Sequence, residues 1–327
     1  MIQPHKTLRE MTTKMEYRNI RGTDLNVSLV GIGCNNFGMR ADETKSFEVI
    51  YAALDAGINF FDTADIYGGR GRSEEILGKA ITGRDRSTMI IATKFANPMS
   101  DDGTMRGASR DYIVRAVEAS LTRLNTDYID LYQQHVPDPR TPIEETLRAL
   151  DDLVQSGKVR AIGHSNFTGW QIADADWTAA SAGASRFVTA QNLYSLLDRR
   201  IEREVIPACQ RFGLQILPYF PLASGMLTGK YTRGEAPKPG TRLALFGDRG
   251  KKALSDDNFD KVEALTEYAN SRGHSILELA MSWLAAQSFI PSIIAGATSA
   301  AQVHANAASA HWVLTEEDLA AIDGLTR

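Results

Sequence analysis

Cysteine is scarce in this chain of 327 residues. Only Cys34 and Cys209 occur, far apart, so there is neither a disulfide framework nor the paired spacing that holds zinc. No two of the six histidines have ligand spacing, and His164 and His304 read as structural; no metal site is expected. An excess of basic charge is also missing. Lys and Arg total 36 against 40 Asp and Glu, a net charge of −4, which leaves little to hold a nucleic-acid backbone or an anionic membrane. No apolar run approaches the roughly 18 residues of a membrane span, and residues 1–14 are too polar for the core of a secretion signal. These absences point to a cytoplasmic protein in a reducing compartment, with no nucleic-acid or membrane partner.

What is present is a repeat of short apolar, β-branched runs, at 28–33, 59–62, 89–93, 128–134, 159–165, 187–192, 215–219 and 292–296. The first seven begin about thirty residues apart, the length of a βα unit. Helix-period stretches lie between them, such as Ile113, Val117, Leu121 and Leu124 after Ser109, or Ile143, Leu147, Leu150 and Val154 after Pro142. The strands lack polar alternation, as expected when both faces are covered. Eight such units in one chain predict a (β/α)8 TIM barrel, a single domain over 15–327. Residues 1–14 are unpatterned and read as a mobile extension, with Met15 as an alternative start. Residues 16–19 and 25–27, flanking Arg21-Gly22-Thr23-Asp24, read as a β-hairpin plugging the barrel bottom. Between strands seven and eight the spacing widens to 77 residues, with a long loop at 224–252 and helical stretches at 256–271 and 275–287, one more helix than a βα unit needs. The Gly31-x-Gly33 pair does not make a dinucleotide-binding fingerprint, because Asn36 occupies the third glycine position.

In such a barrel, catalytic residues sit at the C-terminal strand ends. Strand two ends in Asp62 and leads to Tyr67, strand three leads to Lys94, and strand four to His135. Singly, each has an ordinary structural explanation: an ion pair, packing, a hydrogen-bonded histidine. Together at equivalent ends they predict a site. A buried Lys94 needs the counter-charge of Asp62, and its cation is expected to lower the Tyr67 pKa, making the phenol a proton donor at neutral pH. His135 would add a second donor to the same oxygen. Such a site polarises a carbonyl and protonates the alkoxide that hydride attack creates.

Six stretches in order now resemble the aldo-keto reductase superfamily: GIGCNNFG (31–38), NFFDTADIYG (59–68), ATK (92–94), DLYQQH (130–135), GHSNF (163–167) and PLASGMLTGKY (221–231). The resemblance implies a catalytic tetrad of Asp62, Tyr67, Lys94 and His135, with Tyr67 the acid, reducing an aldehyde or ketone to an alcohol, reversibly. It puts Ser165, Asn166 and Gln191 on the nicotinamide carboxamide, Tyr219 against the ring, and Leu222, Ser224 and Gly225 around the pyrophosphate. Gly33, Cys34, Asn35 and Gly296 are further implied cofactor contacts, Cys34 standing where the family often has Thr.

NADPH is the implied cofactor, with NADH also accepted. The segment IAGATSAAQVHAN (294–306) has no Lys or Arg where NADPH-preferring members place them. Thr298, Ser299 and Gln302 offer neutral donors and Asn306 an adenine contact, so discrimination below about 100-fold is expected. A cation from the long loop, Lys230, Arg233, Arg242 or Arg249, is the alternative source of charge. The second function class is a cofactor-binding sensor or channel-associated subunit of the same fold with little turnover. Metal-dependent hydrolysis lacks a ligand cluster. The substrate is set by the loops at 97–106, 136–140 and 233–252.

Overall fold

The computed structural model describes residues 14–326 apart from position 246, so the extension expected over 1–14 lies, but for Lys14, outside the described residues. A hairpin of β1 (Tyr17–Asn19) and β2 (Asn26–Ser28) precedes the barrel. The barrel strands are β3 (Val30–Gly33), β4 (Phe60–Asp62), β5 (Ile90–Phe95), β6 (Ile129–Gln134), β7 (Val159–Ser165), β8 (Thr189–Leu193), β9 (Gln215–Tyr219) and β10 (Ile293–Gly296). All pair in parallel and close in the order β10-β3-β4-β5-β6-β7-β8-β9. This is the (β/α)8 architecture the apolar runs predict, with strand ends shifted by one or two residues. Behind the strands stand α1 (Glu43–Asp55), α3 (Arg72–Ile81), α4 (Arg110–Leu124), α5 (Ile143–Gln155), α6 (Gly169–Ala182) and α7 (Val205–Phe212), while the short α2 (Tyr67–Arg70) lies in the turn between β4 and α3.

Side chains alternate across each strand, and the alternation builds the barrel interior in layers. Phe60, Ala92, Leu131, Ala161, Leu217 and Ile294 point inward and pack with Ile20, Leu25 and Val27 of the hairpin, which plugs the N-terminal end. Two residues further along the same strands stand Asp62, Lys94, Gln133, Gly163, Tyr219 and Gly296. The apolar layer therefore forms the floor of a polar layer at the C-terminal mouth. Gly163 is required here: a Cβ would lie 2.3 Å from Thr189 Oγ1 and 3.3 Å from Gln133 Cγ. The alternate residues, such as Phe61, Ile91, Tyr132, Ile162 and Ile216, face outward into the shell shared with the helices.

Between β9 and β10 the chain forms a 3-10 turn (Ala223–Thr228), then α8 (Arg242–Leu245), α9 (Asp248–Ala253), α10 (Asp256–Ser271) and α11 (Ile276–Ala285). α12 (Ala300–Ala308) and α13 (Glu316–Thr326) follow β10. The last two helices of the insertion match the sequence reading, and Ser255 and the Ser275–Glu278 capping box start them. The stretch read as loop contains the two short helices α8 and α9. One-turn helices are marginal alone; this segment is held by tertiary burial, with Met226, Leu227 and Leu243 at 2% exposure or less. No helix of the described residues is long and apolar enough to cross a membrane.

Candidate active site

Asp62 is the centre of the polar layer. Lys94 Nζ donates to its Oδ2 at 2.6 Å and to the carbonyl of Thr63 at 2.8 Å. Its Oδ1 accepts from Gln191 Nε2 at 2.8 Å and from Gln133 Nε2 at 3.2 Å. The Lys94 side chain is fully buried and that of Asp62 is 4% exposed. A buried ion pair is tolerated only when its remaining donors and acceptors are satisfied, and these contacts do that.

Tyr67 is brought over the pair by the turn after β4. Thr63 N donates to Ala92 O and Asp65 N to Lys94 O, so the segment stays zipped to β5 before turning. Gly68 follows with φ of +72°, and a Cβ there would lie 2.7 Å from Phe37 O, which makes glycine obligatory. Lys94 Nζ is 5.1 Å from the Tyr67 ring centroid, and the His135 ring stands edge-on to it at 5.6 Å.

Burial works against the Lys94 charge, but Asp62 and the phenol more than offset it and raise its pKa, keeping it a cation. Tyr67 departs from expectation. Burial pushes the phenol pKa up, the attraction of Lys94 only partly opposes it, and the net shift is upward. The physical reason is the depth of burial, to which the Asp62 carboxylate adds by itself disfavouring a phenolate. Burial and the Lys94 charge push His135 down to about 3, so the imidazole is neutral and offers a single N–H. Its Nδ1 is buried without a hydrogen-bond partner.

Two cavities meet at the mouth. One, of about 250 Å³, is lined by Asp62, Tyr67 and His135 together with Gly33, Asn35, Ser165, Asn166, Gln191, Tyr219 and Gly296. Within it Tyr219 donates to Asn166 Oδ1 at 2.8 Å, while Asn166 Nδ2 donates to the carbonyl of His135 and to Ser165 Oγ, both at 3.0 Å. Asn166 holds this place with φ of +62°, a conformation Asn tolerates better than most residues. The other cavity, of about 240 Å³, is lined by Leu222, Ser224, Gly225, Lys230, Thr298, Gln302 and Asn306. Phe220, Arg242 and Gly296 line both, so the two form one trough. A Cβ on Gly296 would intrude to 3.3 Å from Asn36 Nδ2 and 3.6 Å from Arg242 Nη2, at their junction. Cavities joined in this way fit an elongated ligand, and the cations Lys230 and Arg242 along the trough suit anionic groups on it.

Cys34 and Ser299 line neither cavity. Cys34 is buried behind β3, its thiol pKa raised by burial, and Ser299 caps α12. Of the long-loop cations, Arg233 is consumed by Asp256, Asp260 and Glu263, and the side chain of Arg249 lies outside the described residues. Lys230 and Arg242 do line the trough. Several contributors were absent from the sequence reading of the site: Gln133, Asn36, Phe220 and Arg40. The period-two alternation after Leu131 would have found Gln133. Arg40, between β3 and α1, carried no local signal, because the loop that it faces is some 200 residues away.

A model of the aldo/keto reductase family matches residues 29–327. The chain is 40% identical over 298 residues to an uncharacterized oxidoreductase, YrpG, of Bacillus subtilis (strain 168), covering 88% of this chain and 89% of that one. It is 39% identical over 311 residues to the aldo-keto reductase YhdN of the same organism, covering 93% and 91%. A probable voltage-gated potassium channel subunit beta of Arabidopsis thaliana is 35% identical over 300 residues, covering 89% and 90%. Matched along nearly the whole barrel, the chain belongs to the aldo/keto reductase family.

Proposed function

We propose that this protein is an NAD(P)H-dependent carbonyl reductase, reversible to an alcohol dehydrogenase, with Tyr67 as the proton donor. The observation that carries the reading is the buried Lys94–Asp62 pair beneath Tyr67 at the floor of a trough whose far cavity is cationic. A reduced nicotinamide bound there supplies a hydride to the carbonyl carbon. Tyr67, its pKa raised by burial, is fully protonated at neutral pH and gives its hydroxyl proton to the carbonyl oxygen as that oxygen gains charge. The phenolate left behind is buried, and the Lys94 cation offsets that cost. Asp62, itself held by Gln133 and Gln191, and the Thr63 carbonyl keep Lys94 in place. Neutral His135 donates one hydrogen bond to the same substrate oxygen and orients it.

Ser165, Asn166 and Gln191 would hold the carboxamide, Gln191 through its oxygen, since its NH2 group is engaged by Asp62. Tyr219 offers a ring face, Gly33, Asn35 and Gly296 the walls, Leu222, Ser224, Gly225 and Lys230 the pyrophosphate contacts, and Thr298, Gln302 and Asn306 the adenosine end. The test is reduction of a nitrobenzaldehyde with NADPH or NADH in the presence of a chelator, followed by loss of cofactor absorbance. Steady turnover is expected; turnover abolished by the chelator and restored by zinc would overturn it. A second reading, a regulatory subunit that binds cofactor with almost no turnover, is favoured by the likeness to the channel subunit of Arabidopsis thaliana. Cofactor binding without steady-state rate on a panel of aldehydes would select it.

A further inference from the structure

Three cations line the far cavity of the trough, Arg40, Lys230 and Arg242. Among the described residues, no carboxylate lies within ion-pair distance of any of them. Burial together with the charges of Arg40 and Arg242 lowers the Lys230 pKa, and burial with Arg40 lowers that of Arg242 to about 10. Like charges held together under partial burial are costly unless an anion joins them.

Two of the three are placed for groups that every nicotinamide dinucleotide carries. Lys230 Nζ sits against Gly225, 2.4 Å from where a Cβ would be, on the loop assigned to the pyrophosphate. Arg242 donates to Asn35 Oδ1 at 3.0 Å and Asn36 Oδ1 at 2.9 Å, at the junction with the catalytic cavity. Arg40 is the third, and it enters the cavity from the loop after β3. Its Nη2 donates to Gly240 O at 2.9 Å and its Nη1 reaches Asn36 Oδ1 at 3.5 Å, which fixes the guanidinium. Its Nε is buried without a partner. A pyrophosphate carries two charges and has two cations; a third cation lining the same cavity without a carboxylate partner calls for a further anion.

We propose that Arg40 recognises the 2′-phosphate of NADP(H), together with the neutral donors Thr298 and Gln302, and is the residue that separates this cofactor from NAD(H). The assignment rests on the cofactor reading above. It replaces the expectation of weak discrimination, which considered only the segment after strand eight and the long loop: a guanidinium from the opposite wall supplies the charged bond that those neutral side chains cannot.

The test is titration of the whole chain with NADP+ and with NAD+ by calorimetry, for wild type, Arg40→Gln and Arg40→Lys, with thermal melts showing that each variant is folded. Arg40→Gln is expected to weaken NADP+ at least tenfold, about 1.4 kcal/mol, and to change NAD+ less than twofold, with Arg40→Lys restoring part of the loss. An equal loss for both cofactors would mean that Arg40 only ties the long loop at Gly240, and would overturn the assignment, as would no loss for either. Wild type binding neither cofactor overturns the assignment and the reductase reading together. Binding with no turnover defeats the reductase reading alone and leaves Arg40 to be judged by the two affinities.

Discussion

Gln191 and Asp62 are joined at 2.8 Å across the lumen of the barrel, from strands β8 and β4 on opposite sides of the closed sheet. Lys94 from β5 and Gln133 from β6 reach the same carboxylate. Four strands thus converge on one charge, and the barrel must be closed for that charge to be satisfied. The Lys94–Asp62 pair therefore depends on the closure of the fold.

Loss of the proton donor should separate chemistry from binding. Tyr67→Phe is expected to lower kcat by at least about 10²-fold while the cofactor dissociation constant stays near wild type. Single-turnover rates beside a fluorescence titration check it; near-normal kcat would move the acid role to another group.

Removing the cation should unbalance the layer. Lys94→Met leaves Asp62 buried with two amide donors and no counter-charge, a loss of roughly 3–5 kcal/mol in stability as well as activity. Adding Asp62→Asn should recover part of the stability and none of the activity, a non-additivity that urea melts of the single and double variants measure.

Acid sensitivity should trace in part to a buried histidine. His164 is fully buried between Phe167 and Phe187, and burial depresses its pKa to about 3. Below the ordinary histidine value the unfolded chain takes up a proton that the native state refuses, so stability is full above pH 6.5 and falls as pH drops toward 3. Between pH 7 and 5 the share is roughly 2 kcal/mol. His135 acts in the same direction. Asp65, whose pKa is raised by burial, acts oppositely, binding its proton more readily when folded. Both cancel in the comparison of wild type with His164→Leu, whose stability should fall less over that interval; parallel pH dependences would refute the assignment.

Gly78 should resist a change that helix propensity favours. Alanine in mid-helix normally gains about 1 kcal/mol over glycine. At this position in α3 a Cβ would lie 2.5 Å from Arg123 O and 2.7 Å from Leu124 C, backbone atoms of α4 that cannot rotate away. Overpacking costs of 1–3 kcal/mol should win, so Gly78→Ala is expected to lower the denaturation midpoint.

The architecture was legible in the sequence because it is written in local repeats. Apolar runs about thirty residues apart, helix starts at Ser109 and Pro142, and the break before residue 292 were sufficient for the barrel, its plug and its insertion. Asp62, Lys94 and His135 could be read because strand ends of a parallel barrel share one face, so position along each strand specifies position in space. Tertiary structure alone decided the direction of the Tyr67 shift, since a phenol beside a lysine is acidified or not according to how deeply both are buried and what else neutralises the lysine. It alone turned part of the long loop into helices, because Leu243 has somewhere to be buried only when the barrel mouth exists. And it alone brought Arg40 to Gly240 and to the cavity of Lys230 and Arg242: a guanidinium on one loop reads as a solvated surface charge until a segment some 200 residues later folds over it.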